Sequence, residues 1–210
     1  LPICNITGSE NTKMKVNNGT LRFGGSADVV NVEVAKGASL FGGTFTVNDM
    51  SAKMAEGYAD STTGQLISHG TIGAATQNTT MAINGALVSD GVLRAYGGGK
   101  AGQISVTGNA DINDSTVSAV NALPDEGFTV LQAGTATGTL ANPVGNPYPA
   151  AGMLSTTGAV TGNTVTVMAQ SANNLGKANA ERTNIRLKFF TQIYFLSKYV
   201  KLSLYILPHS

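Results

Sequence analysis

The 210 residues carry 13 lysines and arginines against 12 aspartates and glutamates, and charged residues make up only 12% of the chain. Such a composition argues against a nucleic-acid-binding protein, which would carry a basic patch. The hydrophobic fraction of 42% argues against a disordered chain. The single cysteine, Cys4, excludes an intrachain disulfide and fits a bacterial surface protein as well as a cytosolic one.

The N-terminal residues do not look like a targeting signal. The chain starts at Leu1 rather than at Met, and the first seven residues lack the charged and long apolar regions of a signal peptide. We therefore expect a fragment or a processed product.

From residue 13 to residue 134 the sequence predicts a succession of short strands. Apolar and small polar residues alternate, which gives each run one buried and one wet face, and Gly, Asn or Asp closes most runs. The predicted strands are 13–16, 19–25, 29–34, 43–49, 65–68, 80–85, 86–91, 92–96, 103–108, 109–114, 115–120 and 128–134. Residues 36–40 are predicted as a turn.

Three stretches interrupt or end this rhythm. Residues 50–63 place Met50, Met54 and Tyr58 at helical spacing, which indicates a short helix or a loop excursion rather than a binding loop. The Gly-, Thr- and Pro-rich residues 134–149 indicate a loop at the end of the array. Residues 158–167 then indicate a last hairpin or strand pair.

The order of the strands favours a solenoid. Leu21, Leu40, Leu66, Leu87 and Ile104 recur at about 20 residues, within the range of solenoid repeats. Asp90-Gly91 between two apolar runs suits a hairpin turn or a solenoid corner, and we favour the corner. The predicted fold class is all-β, a right-handed parallel β-helix, with an antiparallel β-sandwich as the alternative.

The C-terminal part differs in composition from the rest. We predict a β-helix over residues 1–169, a linker over 170–184 and an atypical hydrophobic and basic tail over 185–210, which is not β and could be helical. Lys198 and Lys201 make the tail a poor membrane span, because a central lysine costs about 2.5–3.5 kcal/mol on insertion scales. The alternatives are a basic interfacial helix and a tail that is not the native continuation of the chain.

Three segments carry a resemblance to a known family. They are residues 103–110, residues 127–133 with Gly138-Thr139-Leu140, and residues 162–167 followed by 171–176. Their order within residues 102–184 resembles the C-terminal passenger region of bacterial autotransporters, the type V secreted proteins.

This resemblance implies a right-handed parallel β-helix at the cell surface or outer membrane of a Gram-negative bacterium, or secreted from it. It implies an end region that helps the passenger to fold during export. Family passengers are followed by an outer-membrane β-barrel, which the tail after Asn184 is too short to form. The expected partners are that barrel and molecules of a host-cell or matrix surface, but not nucleic acid.

The function expected from these observations is that of a passenger fragment with stalk or adhesin-type recognition and no catalysis of its own. One alternative is the stem of an autotransporter enzyme, such as a serine protease, whose catalytic part lies upstream. Another is a polysaccharide-active β-helix enzyme.

Motifs that would carry chemistry are weak. Gly97, Gly99 and Gly102 match G-x-G-x-x-G, but a strand rather than a helix follows them, so nucleotide binding is not expected. His69 and His209 are the only histidines, and without a G-x-S-x-G elbow His69 is interpreted as a solvated corner residue.

The acidic residues are interpreted as turn residues. The densest group is Asp111, Asp114, Asp125 and Glu126, which would suit a calcium site or an acidic carbohydrate cleft, but no Asp-x-Asp-x-Asp-Gly loop occurs. Asn-x-Thr/Ser triplets, which in a bacterium are also turns, begin at Asn5, Asn18, Asn78 and Asn113. We therefore assign no catalytic, cofactor-binding or metal-binding residue and expect no cofactor.

Overall fold

The computed structural model describes residues 5–7, 13–47, 64–98, 102–149 and 154–171. All of them belong to the first of two units into which the chain divides, Leu1–Ser171. Within these ranges the regular secondary structure is β throughout, with no helix. The prediction of an all-β fold is therefore confirmed for the part of the chain that the structure describes.

The strands of this part are short. In chain order they are β1 (Ile6–Thr7), β2 (Lys13–Val16), β3 (Thr20–Arg22), β4 (Ser26–Val29), β5 (Asn31–Val34), β6 (Ser39–Phe41), β7 (Thr44–Val47), β8 (Gln65–Ser68), β9 (Thr71–Gly73), β10 (Thr80–Asn84), β11 (Ala86–Ser89), β12 (Val92–Tyr96), β13 (Gln103–Val106), β14 (Asn109–Asp111), β15 (Thr116–Val120), β16 (Gly127–Gln132), β17 (Thr135–Thr137), β18 (Tyr148–Pro149), β19 (Leu154–Thr161) and β20 (Thr164–Ser171).

These strands form three sheets, which the chain visits in rotation. Sheet 1 has the order β1-β4-β7-β10-β13-β16-β20-β19-β18, sheet 2 the order β17-β14-β11-β8-β5-β2, and sheet 3 the order β15-β12-β9-β6-β3. From β1 to β17 all neighbours in a sheet are parallel. We call three successive strands, one in each sheet, a repeat. This stacking is consistent with a β-helix or solenoid and contradicts the antiparallel sandwich.

The core lies between the sheets and is built from aligned apolar residues. In sheet 3 the inward row joins Leu21, Leu40, Ile72, Leu93 and Val117, and the last four are completely buried. Equivalent rows run through sheets 1 and 2. Each buried methylene contributes about 0.8 kcal/mol, so the stabilisation accumulates from repeat to repeat.

The ladder predicted from leucine spacing is only partly right. Leu21 pairs with Leu40 in sheet 3, and Leu66 pairs with Leu87 in sheet 2, whereas Ile104 lies in sheet 1. The prediction therefore grouped residues of three different sheets. Because the corners differ in length, residues that follow one another at a similar interval in the sequence do not all lie in the same sheet.

Some strand boundaries also differ from the prediction. Residues 29–34 form two strands, because the chain turns from sheet 1 into sheet 2 at Val30, whose side chain is buried. The strands β6 and β9 were not predicted. Each has three residues, too few for a clear alternation, and β6 overlaps the predicted turn at 36–40.

At its C-terminal end sheet 1 becomes antiparallel. Strand β20 runs antiparallel to β16, and β19 and β18 follow with the same alternation. The hairpin predicted at 158–167 is confirmed, and it is longer than predicted. The loop predicted over 134–149 is partly wrong, because it contains β17 and β18.

The β19–β20 hairpin covers the end of the core. Gly158 in β19 is buried so closely that an added Cβ would lie 2.5 Å from both Leu140 Cδ1 and Val117 Cγ2. No side chain fits there without displacing the residues beneath. The hairpin therefore forms a lid on the last repeat.

Asn142 completes the end of sheet 3 next to this lid. Its Oδ1 accepts a hydrogen bond from the Val117 amide at 2.9 Å, and its Nδ2 donates to the carbonyls of Val117 and Thr156, both at 2.9 Å. The side-chain amide thus supplies the donor and acceptor that a further strand beside β15 would have supplied.

Several predictions concern residues outside the described ranges. These are the excursion at 50–63, almost all of the linker at 170–184, the tail at 185–210, Cys4, Gly99 and His209. Only Gln170 and Ser171 of the linker are described, and they belong to β20. Within the described ranges there is no helix that could cross a membrane.

Candidate functional site

A groove follows the corner at which the chain passes from sheet 2 to sheet 3. It has a volume of about 430 Å³ and its lining residues come from four successive repeats. They are Glu33, Ala35, Lys36, His69, Asp90 and Asp114. The corner stacks regularly, because the His69 amide donates to the Val34 carbonyl and the Asp90 amide to the Ser68 carbonyl. Residues at equivalent corner positions of successive repeats are thereby brought side by side.

Among the described residues, His69 and Asp90 form the one ion pair in which both partners line this groove. The Nδ1 atom of His69 lies 2.8 Å from Oδ1 of Asp90, and both side chains are about half exposed. An exposed pair of this kind is screened by water and contributes little to stability. The prediction of His69 as a solvated corner residue agrees with its position. Its pairing with Asp90 was missed, although both residues directly precede a glycine at a strand end.

Glu33 lies in β5 at the edge of the groove, and its side chain pairs with Lys15 on the neighbouring strand β2. Lys15 Nζ lies 2.6 Å from Glu33 Oε2, across neighbouring strands. The hydrogen bond and the positive charge of Lys15 lower the pKa of Glu33 below its ordinary value. Glu33 therefore stays ionised to a lower pH than a free carboxyl would.

Three buried serines lie behind the groove. Ser115 Oγ lies 2.8 Å from the Ser89 carbonyl and 3.0 Å from Ser89 Oγ, and the Gly91 amide donates to Ser89 Oγ at 3.3 Å. Ser68 Oγ donates to the Gly70 carbonyl. Because these hydroxyls are buried and bonded to the backbone of the corner, they hold the corner together rather than point a nucleophile at the groove.

The four acidic residues singled out in the sequence occupy two different corners. Asp111 and Asp114 lie between sheets 2 and 3, where Asp111 Oδ1 accepts from the Asn113 amide at 3.2 Å and Asp114 has a φ of 62°. Asp125, with a φ of 62°, and Glu126 lie in the turn from sheet 3 to sheet 1. Glu126 accepts hydrogen bonds from the amides of Gly98 and Leu123.

These contacts match the interpretation as turn residues, since they satisfy backbone amides at corners. In the part of the chain that the structure describes, no three His, Cys, Asp or Glu side chains are grouped so that they could hold a metal ion.

The glycine motif leads into a strand, as predicted. Gly102 and Tyr96 exchange two backbone hydrogen bonds of 3.1 Å, and β13 begins at the next residue. No helix N-terminus is formed after the motif, so the geometry that would cradle a phosphate is missing at this place.

The asparagines of the Asn-x-Thr/Ser triplets also act locally. Asn18 Oδ1 accepts from the Gly19 amide at 2.8 Å, Asn78 has a φ of 58°, and Asn113 Oδ1 accepts from the Thr139 hydroxyl at 2.9 Å. Asn5 Oδ1 accepts from the Ser26 hydroxyl at 3.1 Å. The first three lie at turns or corners, in agreement with the prediction.

A second groove lies on sheet 1 near the hairpin lid and was not predicted. It has a volume of about 660 Å³ and is lined by β16, β19 and β20, with Phe128 and Met168 among its apolar residues. Val144 borders it and is 79% exposed. Its signal in the sequence is slight, because an outward apolar residue such as Met168 looks like a core residue until the sheet face is known.

Comparison of the chain with models of protein families, with curated proteins and with solved structures finds no match.

Proposed function

We propose that the chain is a fragment of a surface-exposed autotransporter passenger of a Gram-negative bacterium, folded as a right-handed parallel β-helix and acting as a stalk or adhesin. The observation that carries the proposal is the rotation of parallel strands through three sheets, ended by an antiparallel hairpin. The resemblance of residues 102–184 to the end of such passengers supports it independently of the fold.

Recognition by such a chain would use its extended outer surface. On sheet 1 the outward residues Ser26 and Thr44 are aligned, as are Asp28, Thr46 and Asn84. Neighbouring strands are about 4.8 Å apart, so these rows offer many evenly spaced polar groups. A partner would be held by numerous weak polar contacts rather than in one deep pocket.

The capped end gives the fragment a second role in this proposal. The hairpin and Asn142 bond the backbone groups at the end of the last repeat. A chain emerging from a membrane could therefore form this end first and add repeats to it. Repeat proteins fold by such propagation from neighbour to neighbour. The role agrees with what the autotransporter resemblance implies for the end of a passenger.

Labelling of intact cells tests the proposal. The full-length gene would be expressed in a Gram-negative host, and antibodies raised against the purified 210-residue chain would be applied with and without external protease. We expect surface labelling that protease removes, while a periplasmic marker stays intact. Labelling only after the outer membrane is permeabilised would refute a surface location. Cell binding by the full-length protein, lost when residues 13–171 are deleted, would distinguish an adhesin from the stem of an upstream enzyme.

The corner groove favours one other candidate function, a polysaccharide-active enzyme. It brings His69, Asp90 and Asp114 into one cleft, and carboxylates flanking a cleft are the groups that glycoside hydrolysis uses. The purified chain would be incubated with a set of polysaccharides, and new reducing ends would be measured. Activity that disappears in Asp90→Asn and persists in Asp28→Asn would establish this candidate in place of the first.

A further inference from the structure

The outer face of sheet 3 carries two arginines around one aromatic ring. Arg22, Phe41, Gly73, Arg94 and Ser118 form one row across the sheet. Gly73 has no side chain, so the guanidinium of Arg94 extends across β9 and stacks on Phe41, with Cζ 3.4 Å from the ring centroid. Arg22 Cζ lies 5.7 Å from the same centroid. The two positive charges therefore converge on one place.

Neutral groups hold both guanidiniums in position. Arg22 Nη1 donates to the Ala75 carbonyl at 2.9 Å, and the Tyr96 hydroxyl donates to the same carbonyl at 3.2 Å. Arg94 Nη2 donates to the Tyr96 hydroxyl at 3.4 Å. Because these contacts already order the side chains, less conformational entropy is lost when a ligand binds.

The charge of this cluster is not compensated by the described residues. Their ion pairs, Lys15 with Glu33 and His69 with Asp90, lie on sheet 2 and its corner, and neither arginine takes part in one. The Nε atom of Arg94 is buried without a hydrogen-bond partner. Burial lowers the pKa of Arg94; Tyr96 opposes this effect, and the charge of Arg22 adds a smaller lowering. A bound anion would relieve the repulsion between the two arginines.

We infer that this face binds the sulfate or carboxylate groups of an acidic polysaccharide through Arg22 and Arg94. The guanidinium fork matches the geometry of such oxyanions. The hydroxyls of Thr20, Ser39 and Thr71 form the adjacent outward row and would bond the sugar hydroxyls. The inference goes beyond the proposed function, because it holds wherever the chain is located.

A polysaccharide fits this face better than a nucleic acid does. The whole chain has a formal net charge of only +1, whereas nucleic-acid binding requires a broad basic surface. Phe41, the ring on which a base could have stacked, is 4% exposed and covered by Arg94.

Calorimetric titration of the purified 210-residue chain tests the inference. The probes are a sulfated heparin oligosaccharide, an oligogalacturonate and a neutral oligosaccharide of equal length, with duplex DNA as the competing polyanion. We expect binding of an acidic oligosaccharide and none of the neutral one, and the two acidic probes distinguish sulfate from carboxylate. Arg22→Gln and Arg94→Gln should each weaken binding about tenfold, since each removes charge-assisted hydrogen bonds.

The matched control is Lys13→Gln, which removes one exposed positive charge from sheet 2 and should change affinity by less than about twofold. Arg22 is exposed, so its variant is expected to keep the native circular dichroism spectrum even if the Arg94 variant does not. The inference is overturned if no acidic oligosaccharide binds, if Lys13→Gln weakens binding as much as Arg22→Gln, or if DNA binds more tightly than both oligosaccharides.

Discussion

Replacing Asn142 by alanine should open the capped end of sheet 3. The residue is 2% exposed, and its side chain bonds the amide and the carbonyl of Val117 and the carbonyl of Thr156. In the variant the Val117 amide loses its acceptor and the Thr156 carbonyl loses this donor. The Val117 carbonyl keeps the hydrogen bond from Thr156 Oγ1 at 2.9 Å.

The size of the effect follows from these contacts. A buried polar group left without a partner costs about 1–3 kcal/mol, so the orphaned Val117 amide alone would reduce the free energy of unfolding by about 1–3 kcal/mol. Domains of this size are stable by about 5–15 kcal/mol, and the loss would therefore be readily measured.

Urea denaturation followed by circular dichroism measures this loss, and the m-value shows whether unfolding stays cooperative. Asn146→Ala is the matched control, because Asn146 lies in the same loop but is exposed and donates one bond, to the Ala141 carbonyl at 2.8 Å. It should lose less than about 1 kcal/mol. Hydrogen exchange at the Val117 amide should accelerate only in the Asn142 variant. Equal losses in the two variants would refute the interpretation of Asn142 as a substitute for a strand.

Three further substitutions test the core, the corner and the surface. Phe45→Ala removes a completely buried ring and should cost about 3–5 kcal/mol in urea denaturation, and a loss below about 1 kcal/mol would contradict its place in the core. Ser115→Ala removes the hydroxyl that bonds Ser89 and should cost about 1–3 kcal/mol in the same assay, and a neutral result would contradict the corner network. Lys15→Gln should raise the pKa of Glu33, measured by NMR titration, towards its ordinary value of 4.5. Because the folded-state pKa of Glu33 is lowered, its small contribution to stability is present above pH 4.5 and is lost as the pH falls through the folded-state value.

The sequence predicted the strands that show a clear alternation and a clear stop. Residues 13–16, 43–49 and 103–108 each alternate over at least four positions, and they correspond to β2, β7 and β13. The corner at Asp90-Gly91 was also predicted correctly, since β11 and β12 belong to different sheets. At these places the period of two and the turn residues act locally, so a single sequence contains the whole signal.

The remaining features depend on contacts between residues far apart in sequence. The turn at Val30 uses no glycine, and the aligned residues Ser26, Thr44, Ala82 and Ser105 are separated by unequal intervals, so repeat boundaries were only partly predictable. The stacking of Arg94 on Phe41 depends on which residue of β9 lies between them. The sequence alone does not show that this residue is Gly73.

The alignment of parallel edges in the middle of the stack also constrains how such a gene can change length. Each inner repeat pairs through parallel strand edges with both the repeat before it and the repeat after it. Removing β10 to β12 would therefore place β7 beside β13, β8 beside β14 and β9 beside β15, all in the same direction. Duplication or deletion of whole repeats is thus compatible with the architecture, whereas loss of a single strand would place every later strand in the wrong sheet. The hairpin ends this series in sheet 1, because β20 runs antiparallel to β16 and leaves no parallel edge there for another repeat to join.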